Sequence, residues 1–432
     1  MNKSGKKIKS YGVIVFFACI LLIRTIYFLC YQKGYLYADS YGYLEFDFTA
    51  LINLDFTNGR TPFYPLILKV MVLLFGDNGF GLATVIFQAI FSYISVIYLF
   101  KIINLITTHN WISYILTFIY GTSTMICGWD FAILTESLAL SGTIFFIYYV
   151  FMFMKYDESR YGIISNIILF ILIFLRPTFL LFNVILFVFL IIRLILKKKN
   201  TLKVFVICII SWVFIFIYSA CFYSSQGIFT ISDPMPRQLM IICIERGYYK
   251  NSDNKEFVNL VENGLTETNN DIWATMWPIL GYYGQSETQK LAKECIKNNF
   301  IQYIKDEIRI TAQTLESDFY AYSVDLEDID IRISTIRNIW EKTTNIIKPI
   351  HGILLSMWLL IIAIANLIKK KNLCWIAGGL GIFILGIFTS TMIATCGEYI
   401  RTMIHIIPFI FISISYVCAK YLYNEDYFVD TI

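Results

Sequence analysis

This chain has little charge. Of its 432 residues only 15% are Asp, Glu, Lys or Arg, where soluble proteins carry roughly 25%. The shortage excludes a disordered chain, a nucleic-acid-binding domain and an ordinary soluble enzyme. Histidine is scarcer still. His109, His351 and His405 are scattered and show no metal-ligand spacing. No CxxC pair occurs among the cysteines, most of which sit in apolar runs as small hydrophobes. Cys243 and Cys295 share one polar segment and form a candidate pair. No repeat of solenoid period and no low-complexity linker is visible. No small-x-small cleavage site follows the first apolar run, and Cys30 follows Leu29 rather than a small residue. The run therefore reads as an anchor, not as a signal or lipoprotein peptide.

What the chain has instead is apolar length. It is 57% hydrophobic, with a mean hydropathy of +0.64. A bilayer core needs about 20 apolar residues of helix. Runs at 11–30, 80–100, 111–127, 137–154, 163–175, 179–196, 204–222, 350–368, 373–393 and 402–421 give ten expected spans. The apolar stretch 62–75 is shorter and is expected to be interfacial or re-entrant. Arg176-Pro177 divides 163–196 into a tight hairpin. Gly378, Gly379, Gly381 and Gly386 lie inside a span, where close helix packing explains them.

Basic residues set direction. Lys3, Lys6, Lys7 and Lys9, then Lys101, Lys155 and Arg160, Lys197–Lys199 and Lys203, Lys369–Lys371, and Lys420 fall on alternate loops. Positive loops stay inside, so both termini are expected in the cytoplasm. The expected class is an all-α polytopic membrane protein with a small, mainly helical extracytoplasmic domain. Residues 1–222 form an N-terminal membrane module with its first outer loop at 31–79, 223–348 the extracytoplasmic domain, and 349–432 a C-terminal membrane module. Within 223–348, Asp233-Pro234 and Trp277-Pro278 mark breaks. Leu291, Cys295, Ile296, Phe300, Ile304 and Ile308 repeat at helical spacing.

Ionisable residues at the edge of a membrane are costly and mark candidate sites. Here they gather on the outer side. Asp39 follows the first span, and Arg60 comes about twenty residues later. Asp130 and Glu136 flank the start of the fourth span. Arg176 tops the hairpin, and Glu398, Arg401 and His405 sit at the outer end of the last span. Carboxylates and cations at one depth suit a lipid-phosphate substrate: a cation neutralises a phosphate, and a carboxylate takes a proton from an attacking group. Structural roles compete. Asp39 can cap a helix, Arg60 can anchor at the interface, Glu398 and Arg401 can be an i,i+3 pair, and His405 can be a satisfied core histidine. Glu45, Asp47 and Asp55 read as solvated loop charges.

The segments YADSYGYLEF, GRTPFYPLIL, LTESL, AKECIKNNFIQYIKDEI, LRPTF and EYIRTMIHIIPF together resemble bacterial GT-C-type glycosyltransferases, the superfamily of dolichyl-phosphate-mannose–protein mannosyltransferases and aminoarabinose transferases. The resemblance implies a GT-C-like helical bundle in a bacterial plasma membrane. It implies transfer of a sugar from a polyprenyl-phosphate donor to a glycan, lipid or protein acceptor on the outer face, with inversion. Asp39 would be the general base, with Glu136 or Asp130 as a second acidic residue. Arg60, Arg176, Arg401, His405 and Tyr64 would contact the donor phosphate or substrate. It implies no firm cofactor, and a divalent cation is compatible with the chemistry. The chain departs from many relatives in carrying its polar domain between the seventh and eighth spans. Two other classes compete. A lipid-linked glycan polymerase or ligase would place its charges in large late loops. A lipid or solute transporter would place them at mid-membrane on broken helices.

Overall fold

In the computed structural model, residues 3–31, 33–56, 59–320, 339–343, 345–368, 375–395 and 397–423 are described. The loop bearing Lys369–Lys371 lies outside them. The described residues are mainly helical, with one isolated bridge between Tyr35 and Ala132 and no strand among them. The chain is an all-α protein, and among the described residues seven helices are long and apolar enough to cross a membrane, with two shorter apolar helices.

The first helix, α1, covers Lys3–Tyr31. Two short helices follow, α2 (Ala38–Leu44) and α3 (Phe48–Ile52). Then comes α4, Phe63–Ile106, which takes in both the short 62–75 stretch and the second expected span. It is interrupted at Gly76, whose φ of 69° and ψ of 175° suit only glycine. The Tyr64 hydroxyl donates to Gln88 Oε1 at 2.9 Å across 24 residues. A straight helix would hold such positions roughly 36 Å apart, so α4 folds back on itself at Gly76 as a helical hairpin.

The third expected span is not one helix. It divides into α5 (Asn110–Thr122) and α6 (Thr124–Cys127). Ser123 between them is extended, and its hydroxyl and that of Thr124 are engaged by the Asn345 side chain. A 3-10 turn over Gly128–Phe131 leads to α7, Glu136–Tyr156. Helix α8 spans Ser159–Leu175 and stops before Arg176-Pro177, since proline lacks the N–H that would continue it. Helices α9 (Leu180–Ile195) and α10 (Thr201–Gln226) complete the first half.

Residues 234–316 form a second, more polar unit. It comprises α11 (Pro234–Glu245), α12 (Lys255–Glu267), α13 (Ile272–Asn298) and α14 (Phe300–Glu316). Its core is separate from that of the bundle and includes Met240, Ile242, Phe257, Met276 and Ile279. Pro234 opens α11, where its missing N–H costs nothing. Pro278, expected as a break, lies inside α13, which breaks instead at Gly284 with φ 71°. Cys243 and Cys295 are both buried here and not joined by a disulfide, and the Cys243 thiol donates to the Ala292 carbonyl at 3.3 Å.

The chain closes with α15 (Pro349–Ile368), α16 (Trp375–Ala394), the single turn α17 (Tyr399–Thr402) and α18 (Ile406–Val417). Close packing does involve the glycines of α16: the Ser356 hydroxyl donates to the Gly381 carbonyl at 2.8 Å, and a Cβ on Gly381 would meet Ser356 O at 3.0 Å. Helix α18 is buried along its length, in the middle of the bundle core.

Candidate functional site

The site begins with the chain after α1. Tyr35 pairs its backbone with Phe131 and Ile133, at 2.9 Å in each direction. Two turns of sequence later, the Ser40 hydroxyl donates to the Ile133 carbonyl at 2.8 Å. Helix α2 is thereby moored to the turn ahead of α7, and Asp39, beside Ser40, is aimed from its first turn. The helix cap is Tyr37, so Asp39 is not held in place as a cap. Its carboxylate is bound by side chains instead.

Arg60 Nη2 lies 2.9 Å from Asp39 Oδ1, and Arg401 Nη1 lies 2.8 Å from Oδ2. Arg401 has further partners. Nη1 also meets Glu398 Oε2 at 2.7 Å, and Nε donates to Glu136 Oε1. Arg176 Nη1 reaches the same Glu136 oxygen at 3.0 Å. Three guanidinium groups and three carboxylates thus form one chain, Arg60–Asp39–Arg401–Glu136–Arg176, with Glu398 as a branch on Arg401. The formal charges balance. Exposure divides the acids: the Asp39 side chain is 37% exposed and Glu398 44%, whereas Glu136 is wholly covered. Only the first two can meet a soluble molecule.

Local sequence explains the geometry. Gly42 in α2 leaves room for Arg60, since a Cβ there would meet Arg60 Nε at 2.6 Å and displace the side chain. In this position the Arg60 guanidinium sits over the Tyr43 ring, 4.4 Å from the centroid, a cation–π contact. Arg176 occupies the extended residue between α8 and Pro177, which frees its side chain to turn inward. Glu136 opens α7, where the helix dipole favours a carboxylate. Partial burial works to raise the Asp39 carboxyl, but the Arg401 and Arg60 guanidinium groups outweigh it and hold it down at about 2.

His405 lies one turn beyond Arg401, 2% exposed, its ring 5.0 Å from that of Phe179. Among the described residues neither ring nitrogen has a hydrogen-bond partner, and Arg176 Nη1 has only its ion pair with Glu136.

Two expected site residues lie elsewhere. Tyr64 is fully buried behind Tyr43, with its hydroxyl committed to Gln88. Asp130 belongs to a separate cluster. Its carboxylate accepts from Ser137 Oγ and pairs with Arg24 Nη1 at 3.4 Å, while Arg24 also donates to Ser92 Oγ and the Gly121 carbonyl. Burial pushes the Asp130 carboxyl up to about 6, against the pull of Arg24. Gln88 Nε2 donates to the carbonyls of Asp130 and Ala132, both at 2.9 Å. This second cluster holds the turn that in turn holds α2.

Sequence reasoning missed Arg24, Gln88 and Tyr43. Arg24 carried a signal, a lone guanidinium inside an apolar span. Gln88 and Tyr43 carried none, since their roles depend on long-range contacts. Asp233, also missed, lies at the junction with the polar unit. Its N–H donates to the Gly59 carbonyl at 2.8 Å and its carboxylate is held by Arg237 and by Gln285 Nε2. Burial raises that carboxyl against the pull of Arg237 and Arg60. Among the described residues no group of three or more His, Cys, Asp or Glu is placed to hold a metal ion. Comparison with protein-family models, curated proteins and solved structures finds no match for this chain.

Proposed function

We propose that this protein is an integral membrane glycosyltransferase of GT-C type that moves a sugar from a polyprenyl-phosphate donor to an acceptor at the outer face of a bacterial plasma membrane. In this reading the chain crosses the membrane ten times with both termini inside, and the polar unit is extracytoplasmic. The observation that carries the proposal is an open carboxylate on the same charge chain as a buried arginine beside an unsatisfied histidine. Asp39 stands at the exposed end of the charge chain. Toward the other end, Arg176 is paired with Glu136 at 3.0 Å, and the ring nitrogens of His405 are buried with no hydrogen-bond partner among the described residues. Buried polar groups are nearly always satisfied, and a phosphate oxygen would accept from the protonated nitrogen of the His405 ring while drawing on the Arg176 charge.

The donor phosphate binds at Arg176 and His405 and competes with the carboxylates for Arg401. Asp39, held at about 2, is a weak base while both arginines grip it. Drawing a guanidinium onto the phosphate loosens that grip and returns the carboxyl toward its ordinary range, where proton abstraction is more effective. Asp39 then takes the proton from the acceptor nucleophile. The nucleophile attacks the anomeric carbon as the bond to phosphate breaks on the opposite side, giving inversion. The leaving phosphate keeps its electron pair and is stabilised by Arg176 and Arg401, each such donor being worth about 10²–10³ in rate.

The test is incubation of purified protein in lipid nanodiscs with a panel of polyprenyl-phosphate sugars, scored by release of lipid phosphate. Release by the wild type and none by Asp39→Asn is the expected result. Equal release by both removes the base.

A further inference from the structure

The helical spacing that joins Leu291, Cys295 and Ile296 to Phe300, Ile304 and Ile308 does not mark one buried face. Leu291 and Cys295 are core residues of the polar unit. Past the division at Asn299 the pattern turns outward. Phe300 is 59% exposed, Ile301 74%, Ile304 42% and Ile308 66%. On a helix of 3.6 residues per turn these four fall within about 100° of one another. Other positions of α14 are the ones that pack: Tyr303 against the core of the polar unit, Asp306 on the Tyr248 hydroxyl at 2.7 Å, and Glu307, bordering Phe300, on Arg246 at 2.7 Å.

Three observations say what covers the outward face. First, α14 is fastened to the membrane bundle. Ile310 and Leu315 pack on the bundle core, and Arg246, which binds Glu307, also donates to the Tyr399 hydroxyl at 3.3 Å. Second, its C-terminal end meets the start of an apolar helix long enough to span. Lys348, beside Pro349 of α15, donates to the Glu316 carbonyl at 3.0 Å, and α15 presents Leu354, Met357 and Ile361 outward. Third, one margin of the apolar stripe is basic. Lys305 and Arg309 are exposed there, Arg309 also lying 3.0 Å from Asp306, while the acid on the other margin, Glu307, is neutralised by Arg246 at 2.7 Å. An apolar stripe with a basic margin is the pattern of a helix that lies in a lipid headgroup layer.

We propose that α14 lies on the membrane surface, with Phe300, Ile301, Ile304 and Ile308 dipping into the acyl boundary and Lys305 and Arg309 meeting anionic lipid headgroups. The polar unit then rests on the bilayer through α14 beside the site, with Arg246 linking α14 to the turn that carries Arg401. The proposal does not depend on the transferase reading.

The test uses the full chain in lipid nanodiscs with and without anionic phospholipid. A photoreactive benzoyl-phenylalanine replaces Phe300 or Ile304 in turn, and Glu262, exposed on α12, serves as the control position. Irradiation followed by mass spectrometry is expected to give lipid adducts at both α14 positions and none at Glu262. Adducts to the chain's own peptides, including 321–338, or to a second copy would overturn the proposal, as would lipid yields no higher than the control. In the mixed bilayer, Lys305→Gln is expected to lower the anionic share of the adducts about fivefold, the factor for one basic residue at a charged surface. An unchanged share overturns the headgroup contact.

Discussion

Two acid–arginine clusters stand on either side of the turn between α6 and α7, and they are built differently. The inner one pairs Arg24 with Asp130 and surrounds the pair with hydroxyls and carbonyls from Ser92, Ser137 and Gly121, all out of reach of solvent. The outer one strings Asp39, Glu136 and Glu398 along three arginines and leaves one edge open. The inner cluster gives its acid a carboxyl raised to about 6, the outer one an acid lowered to about 2. Depth and partner number account for the contrast. One arginine at 3.4 Å does not repay full burial, whereas two at 2.8 and 2.9 Å outweigh partial burial. The first arrangement suits a fixed support, and the second suits charges that can be redistributed when an anion arrives.

The sharpest way to separate them is to remove one acid from each. Asp39→Asn should act chiefly on the chemistry, lowering sugar transfer by about 10²–10⁴, the range for a lost general base, with a smaller loss of stability from the weakened contacts to Arg60 and Arg401. Asp130→Ala should do the reverse, costing about 3–5 kcal/mol of stability because it strands the Arg24 charge. Thermal unfolding reads this directly. The paired change Arg24→Met with Asp130→Leu should recover most of the loss, and a single variant as stable as the wild type would deny the cluster its supporting role. Arg176→Ala should weaken donor binding by about 10–100-fold, the worth of a charged hydrogen bond. Titration with a polyprenyl-phosphate sugar measures it, and an unaltered affinity would assign Arg176 to packing alone.

Acidity offers a gentler probe. Asp130 titrates near 6 in the folded chain against an ordinary value of 3.8, so the fold holds its proton more tightly and Asp130 subtracts stability as pH rises from about 4 to 6. Asp39 runs the other way. Its contribution is present above its ordinary 3.8 and is lost as pH falls through about 2. Melting curves of the wild type minus those of Asp130→Asn should therefore slope downward between pH 4 and 6, and a flat difference would place Asp130 in a wetter setting. The smallest effect is expected from Tyr64→Phe. It loses one hydrogen bond to Gln88, about 1 kcal/mol, and should leave donor affinity unchanged.

Much of this site could be read in the sequence because a charge beside an apolar run is conspicuous. Asp39, Arg60, Glu136, Arg176, Arg401 and His405 all carried that mark, and the structure brings them together. The mark gives no partner, however, and Asp130 looked the same as Glu136 while belonging to the other cluster. Arg24 and Arg193 were overlooked inside apolar helices, where Arg24 pairs with Asp130 and Arg193 with Asp157. Periodicity located most helices but not their orientation or their interruptions. The stripe along α14 has the spacing of a core face and is exposed. The interruption at Gly76 falls in the gap between the short stretch 62–75 and the expected span 80–100, but the division at Ser123 depends on one asparagine from a distant segment, which no local pattern encodes.

Arg401 binds acids contributed by the loop after the first helix, the start of the seventh and its own turn near the end of the chain. During synthesis, Asp39 and Glu136 therefore emerge long before the cation that neutralises them both. Until the last helices are threaded into the lipid, Glu136 has only Arg176 for company and Asp39 only Arg60. The keystone arrives late, so a product truncated before it would still set two acids against two arginines, but as separate Asp39–Arg60 and Glu136–Arg176 pairs that nothing joins.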